Sequence, residues 1–559
     1  MEHILQEVIK DLYEIETTPQ ISRPAAEFGD YATNIALQLA GRTGKNPREV
    51  AEEIAAKLRE TDAFSEVTIA GPGFINVRVS GTSIARQLEE EWSGSFGENQ
   101  DGNGKIAIVE YPSPNMAKPY SVGHLRPGNQ GWAARQLLEA TGWKVITDNH
   151  LGDYGAPLGI WITGFRKFSS EEALEKGGVY ELGRVYIAMK KELKEEIERG
   201  ETLLADEVQD WLLKYESGDE EALAYSERFN SISLEHIHEI MGRLKISTDY
   251  ELGEAFFAPK GKDAVQTLLN TGVATQNDDG SIIVPLDGFD VPLLVQKSNG
   301  AALYATTDLA TILYREENFH PHKVVYAVGA EQQFYFTQLF AMAKKLGIET
   351  QLEHLWFGTI DQLNEDGTRE KMSSRKGVVL MEELLNQAEE KASAVVEGRE
   401  VSEEDVKKIA LGAIKYSDFI SDRRTNILFD WNSIFALTGV SGPYVQYAAV
   451  RVNKILRDNG LGKGFVETYD YEAEKDVSAK LLEYPEAVRR AANELEPHKV
   501  ANYLYELARE LNRYYEATPV AMESVEALTR EARLGVLSKA SHVFTHGLGL
   551  LGIEVPTQM

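Results

Sequence analysis

The chain has 559 residues, 43% of them hydrophobic, with no cysteine and a formal charge of −30 at pH 7. Such a length is too great for one core and suggests about three to four domains; the absence of cysteine excludes disulfides and thiolate zinc sites. No apolar run approaches the ~18 residues that cross a bilayer, and the acidic, amphipathic start MEHILQEVIKDLYEIE lacks the basic head and apolar core of a signal peptide, so a cytoplasmic protein is expected.

Residues 1–80 combine helical periodicity (Ile4, Leu5, Val8, Ile9 and Leu12; then Val50, Ile54, Ala55 and Leu58) with an alternating stretch from Val67 to Val79. This predicts a small α+β domain. Residues 81–104 read as a helix running into a polar, Gly-rich linker. The apolar run Ile106 to Val109 then predicts a short strand buried on both faces, followed by a loop that Pro112, Pro114 and Pro119 keep extended. Helical pattern resumes near His124, with Pro127 tolerable in a first turn. A strand, a loop and a helix N-terminus make an anion site: backbone N–H groups and the helix dipole face the loop, Gly123 lets a phosphate approach closely, and Lys118 and His124 can donate to it.

A second strand, WKVITDNH, leads into a turn where Gly152 and Gly155 bracket Asp153, so residues 105–165 form the first half of a nucleotide-binding α/β domain. Residues 166–275 are helical and heavily charged, as an insertion would be, and hold no assignable motif. The fold resumes over 276–365 with SIIVPL and PLLVQKS as a hairpin, a helix from Ala301 to Glu316, the strand KVVYAVGA, a helix from Gln332 to Leu346 and the short strand HLWFGTI. Alternation of this kind around an insertion predicts a multidomain α/β chain with a split, Rossmann-like, doubly wound parallel sheet. A Ser-rich loop, KMSSRKG, opens a mostly helical stretch over 366–434, and an α-helical bundle is expected over 435–559. There Tyr503, Leu507, Leu511 and Tyr514 share one helix face and read as bundle core in preference to RNA-stacking rings.

The loop Gly123-His124-Leu125 at the end of an early strand, answered far downstream by Lys371-Met372-Ser373, is the paired nucleotide signature of class I aminoacyl-tRNA synthetases. More narrowly, SPNMAKPYSVGHLR, NHLGDYG (149–155), YATTDLA (304–310), GPYVQYA (442–448) and the ending LLGIEVPTQM resemble arginyl-tRNA synthetases, as do FGDYATNIA (28–36) and GPGFINV (71–77) in an extra N-terminal domain. The resemblance covers essentially the whole chain in the family's order. It implies an arginine–tRNA ligase that forms arginyl adenylate from arginine and ATP with Mg²⁺, then transfers the arginyl group to the 3′-terminal adenosine of its tRNA, and it implies that activation needs bound tRNA. A monomer is expected.

On that resemblance His124 and Lys371 are the catalytic donors to the ATP phosphates, with Lys118, Gly123, Met372 and Ser373 completing the ATP site. Two positions depart from the family pattern: Ser121 replaces the first His of H-x-G-H, keeping a hydrogen bond but no charge, and Ser374 replaces the second Lys of K-M-S-K-S, so that Lys376 or Arg375 would supply the second cation. Selecting arginine requires a carboxylate for the guanidinium fork. The family's substrate-binding tyrosine and aspartate fall on Tyr304 and Asp308, i, i+4 on a predicted helix and so on one face. Asn115 and Gln332, or Gln333 beside it, match the groups for the substrate's amino and carboxylate end, while Tyr335 (commonly His) and Pro157 (commonly Gln) reshape the pocket wall. Tyr31, Asn34, Asn76 and Tyr447 are the tRNA contacts carried over.

The net charge opposes RNA binding as a bulk property. Much of the acid, however, lies in runs such as KKELKEEIERGE that read as solvated helix faces, so RNA contact is expected to be local and salt-sensitive. Two other readings stay open: a nucleotidyltransferase or synthetase for another substrate, against which Asp308 speaks, and a degenerate tRNA binder, suggested by Ser121, Ser374 and the charge.

Overall fold

A computed structural model describes the whole chain apart from residues 301–302, 364–366, 373–378, 463 and 521–524. It divides into two compact units: residues 1–97, 447–487 and 503–546 in one, and 98–446, 488–502 and 547–559 in the other.

The larger unit is built on a four-stranded parallel sheet. Its strands are β1 (Ile106–Glu110), β2 (Lys144–Asp148), β3 (Lys323–Tyr326) and β4 (Gln351–His354), in the spatial order β4-β3-β1-β2. Ala107, Ile108 and Val109 are all buried, as befits a strand covered on both faces. From β1 the chain passes through helix α1 (Leu125–Ala140) to β2 on one side, then returns after the insertion to β3 on the other. The order therefore reverses between β1 and β3, and a crevice opens at their carboxyl ends.

The insertion is helical as expected: Ala156–Phe168, Glu171–Glu198, Leu203–Ser217 and Glu220–Arg243 pack around Trp161, Phe165, Trp211 and Phe229. The hairpin is present as Ile282–Val284 and Leu293–Gln296, with Thr275–Gln276 as an unforeseen third strand. Helix α2 runs from Tyr304 to Phe319 and α3 from Gln333 to Lys345, each within a few residues of expectation.

HLWFGTI forms the strand expected of it only in part. The fourth strand ends at His354, and Ile360 begins a separate sheet in which Ile360–Leu363 pairs antiparallel with Arg369–Lys371 and parallel with Ile427–Leu428. Between them the pairing thins out: Leu355 N–H still donates to Tyr326 O (2.9 Å) and Phe357 makes an isolated parallel bridge to Gly329, while Gly358 N–H donates to Arg423 O (2.9 Å) and Arg423 Nη1 to Trp356 O (2.5 Å). An apolar run bounded by bends cannot by itself distinguish these outcomes.

The smaller unit holds an antiparallel sheet ordered Ile21–Ser22, Tyr31–Thr33, Phe74–Val79, Phe64–Ala70, covered by helices Glu2–Tyr13, Ile35–Thr43 and Pro47–Arg59 around Leu5, Ile9, Ile54, Leu58 and Val77. The alternating stretch is thus two strands joined by a turn at Gly71 and Gly73, both with positive φ. In the same unit Tyr503, Leu507, Leu511 and Tyr514 are buried, as a bundle core requires. Tyr514 donates to the fully buried Glu474 (2.7 Å), which also pairs with Arg533 (3.3 Å).

Candidate active site

The crevice between β1 and β3 is a cavity of about 740 Å³. It is lined by Ser121, Gly123 and His124 from the loop after β1, with Lys371 at the end of a strand of the second sheet and Met372 beside it. Residues just before the first signature segment are joined through the backbone to residues just after the second: Val122 N–H donates to Val379 O (3.0 Å) and Met381 N–H to Tyr120 O (2.9 Å). Ser373, Ser374, Arg375 and Lys376 lie outside the described residues.

His124 closes the turn into α1. Its Nδ1 accepts from Ser121 N–H at 3.2 Å and lies 3.3 Å from Ser121 Oγ. A backbone N–H can only donate, so Nδ1 is unprotonated and the neutral ring carries its proton on Nε2. Burial, together with Lys118 nearby, pushes the imidazole pKa down to about 4. His124 is accordingly a neutral Nε2–H donor across the neutral range, and Ser121 orients it.

The start of α1 is clamped from below. Asp418, 1% exposed, accepts from Arg126 Nε (2.9 Å), Asn129 Nδ2 (3.3 Å) and Gln130 Nε2 (3.0 Å). Arg126 Nη1 in turn donates to the carbonyls of Gly358 (2.8 Å) and Thr425 (3.0 Å), tying the helix start to the second sheet's neighbourhood. Periodicity carries no trace of this network, whose partner is nearly three hundred residues away in sequence.

Asn115, Tyr304, Asp308 and Gln332 line the same cavity. Gln332 is among the residues lining the cavity and Gln333 is not. Tyr304 opens α2 and is 73% exposed at the rim, whereas Asp308, one turn on, lies deeper. Burial pushes the Asp308 carboxyl up to about 6, with His150 opposing, and Tyr335 Oη donates to it. Glu254, which the sequence reading did not single out, also lines the cavity; burial and the charges of Asp308 and Asp153 push its carboxyl up to about 7. Two neighbouring buried carboxyls make a site for a cation.

Asn115 bridges to Gly152, and a methyl group there would lie 2.5 Å from Asn115 Oδ1. Gly152→Ala is therefore expected to turn the Asn115 amide and lower kcat/KM for the cationic substrate by ~10-fold or more with little loss of fold, checked by steady-state kinetics alongside thermal melting.

Lys118 is not brought to the cavity: its Nζ lies 4.6 Å from the Tyr186 ring centre in the insertion. Burial and the like charge of Lys190 lower its pKa. In the smaller unit Tyr31 stacks under Arg23 (5.8 Å), Asn34 precedes a helix and accepts from Gln38 (3.0 Å), and Tyr447 is 40% exposed. Asn76 is only 7% exposed in a central strand, so it shapes the sheet and presents little surface.

Glu110, Asp148 and His150 cluster closely enough to suggest a metal, but Arg315 already occupies both carboxylates at 2.7 and 2.8 Å. The carboxylates among the described residues lining the cavity are Glu110, Glu254, Asp308 and Glu331. Carboxylate oxygens are among the ligands a magnesium ion takes, alongside those of a bound polyphosphate.

Three family descriptions match the chain in order: "Arginyl tRNA synthetase N terminal domain" over 1–79, "tRNA synthetases class I (R), catalytic domain" over 92–431 and "DALR anticodon binding domain" over 445–559. The arginine–tRNA ligase of Fusobacterium nucleatum is 32% identical, with 98% of this chain and 96% of that protein covered. That of Clostridium perfringens is 35% identical, with 100% and 99% covered. The structure of Thermus thermophilus arginyl-tRNA synthetase superposes with a TM-score of 0.75 at 22% identity, covering 100% of this chain and 99% of that one, a likeness of fold. With three matching domains in order and relatives 32–35% identical over nearly all of both chains, this chain belongs to the arginyl-tRNA synthetase family of class I aminoacyl-tRNA synthetases.

Proposed function

We propose that this chain is an arginine–tRNA ligase, acting as a cytoplasmic monomer on arginine, tRNA and magnesium-bound ATP. The observation that carries the reading is the cavity's lining: the neighbouring buried carboxyls of Asp308 and Glu254 share it with the donors His124 and Lys371. The guanidinium meets Asp308 and Glu254 and draws both into their ionised forms. Asn115 and Gln332 hold the amino acid's other end.

The arginine carboxylate oxygen then attacks the α-phosphorus of ATP, and the bond to the departing pyrophosphate breaks. No protein nucleophile is required; the work is alignment and neutralisation of phosphate charge. His124 Nε2–H and Lys371 donate to those phosphates, and Lys376 or Arg375 adds the cation that Ser374 does not. In the second step a ribose hydroxyl of the tRNA's terminal adenosine attacks the mixed anhydride carbonyl and AMP leaves. Tyr31, Asn34 and Tyr447 are surface candidates for holding the tRNA.

The test is exchange of labelled pyrophosphate into ATP with arginine, with and without cognate tRNA. Arginine-dependent exchange that appears only with tRNA, and with neither lysine nor citrulline, is the expected result. Binding of tRNA without exchange on any amino acid overturns the reading in favour of a tRNA-binding protein without ligase activity.

A further inference from the structure

Tyr335 stands in the first turn of α3, opposite Asp308 on α2, and both line the same cavity. Its hydroxyl donates to Asp308 Oδ2, and among the described residues no other side chain or backbone N–H hydrogen-bonds that carboxylate. The ring is seated against Phe336 at 5.6 Å between centroids. A free carboxylate on a helix flank rotates about its last bond; a hydrogen bond at one oxygen favours a single orientation.

We propose that Tyr335 is a positioning residue that sets the cavity's preference for arginine: its hydroxyl occupies one oxygen of Asp308, turns the other toward the guanidinium and holds the group as a carboxylate. The inference rests on reading this part of the cavity as the arginine site, and names the residue that makes Asp308 fit for it.

The surroundings give the hydrogen bond its weight. On α2 itself Tyr304 and Arg315 face Asp308; β1 contributes Glu110, the segment after β2 contributes His150, β3 contributes Tyr326, and the short helix Glu254–Phe257 contributes Glu254. His150 and Arg315 favour the charged carboxylate, whereas Glu110 and Glu254 oppose it. Arg315 is already committed to Glu110 and Asp148, so its help is indirect. With burial as the largest influence and the carboxyl near 6, the Tyr335 bond is a main opposing force on a group that titrates just below neutrality. Without it the folded-state pKa rises, and the guanidinium meets a protonated acid over a wider range of pH. A protonated Asp308 also gains a donor, which suits the ureido oxygen of citrulline.

The test compares the full-length enzyme with Tyr335→Phe and Tyr335→His, measuring arginine-dependent pyrophosphate exchange in the presence of tRNA from about pH 5.5 to 8.5, with citrulline as a competitor. Tyr335→Phe, which keeps the ring, is expected to raise KM for arginine by ~10-fold at neutral pH with kcat nearly unchanged. The acid limb of kcat/KM moves to higher pH, and citrulline becomes a better inhibitor. Tyr335→His, which offers a ring N–H donor, recovers most of the arginine affinity. Wild-type KM and acid limb in the phenylalanine variant overturn the proposal, as does equal impairment of both variants, which would make ring packing the cause. Either result leaves arginine exchange by the unsubstituted enzyme intact, whereas absence of that exchange overturns the functional reading itself.

Discussion

Asparagine in place of Asp308 is expected to lower kcat/KM for arginine in pyrophosphate exchange by ~10²–10³-fold, mostly through KM, because a desolvated guanidinium then lacks its main counter-charge. The substitution keeps the side chain's size and an oxygen that accepts from Tyr335, so α2 and the cavity wall are retained. It isolates charge from shape. The activity should not vanish, because Glu254 lines the same cavity. Glu254 is held near 7 partly by the charge of Asp308; with that charge gone its carboxyl titrates lower and offers a residual anchor at neutral pH. Asp308→Asn combined with Glu254→Gln is expected to fall to background. Arginine titrations of the exchange rate for the wild type, both single variants and the pair decide the matter. A loss in Asp308→Asn smaller than ~5-fold would remove Asp308 from the arginine site.

The residues that line the cavity were legible because each sits in a local pattern with a chemical reason. Gly123 and His124 stand where a strand gives way to a helix, and that junction alone predicts anion binding. Tyr304 and Asp308 were placed on one face by a four-residue spacing that a helix imposes, and both reach the cavity. What supports them was not legible. Asp418 beneath α1, Arg315 beneath the sheet ends and the backbone pairing of Val379 and Met381 with the loop after β1 join segments distant in sequence, for which no local period exists. Glu254 was missed for a related reason: a glutamate in a short turn of helix looks like surface until the fold shows which strands it faces. Lys118 failed in the opposite sense, since its place in a phosphate-like loop says nothing of the insertion tyrosine that holds it aside.

Replacing Arg315 by methionine is expected to cost the catalytic unit about 3–5 kcal/mol, the penalty for leaving buried carboxylates without their cation. Arg315 is 2% exposed and bonds Glu110 Oε2 at 2.7 Å and Asp148 Oδ2 at 2.8 Å, joining the carboxyl ends of two adjacent parallel strands. It also lies two turns beyond Asp308 on α2, so one helix aims one side chain into the cavity and another at the sheet that floors it. Methionine matches the aliphatic length and leaves Glu110 and Asp148 facing one another with no counter-charge. Unfolding in denaturant should come markedly earlier, and arginine KM should rise as α2 loses its hold on the sheet. Adding Glu110→Gln and Asp148→Asn to Arg315→Met should restore much of the stability, because the cost resides in the unpaired charges and not in a lost attraction. If the triple variant unfolds no later than Arg315→Met alone, the buried triad is not what fixes α2 over the sheet, and packing by Leu309 and Ile312 in the same helix must hold it instead.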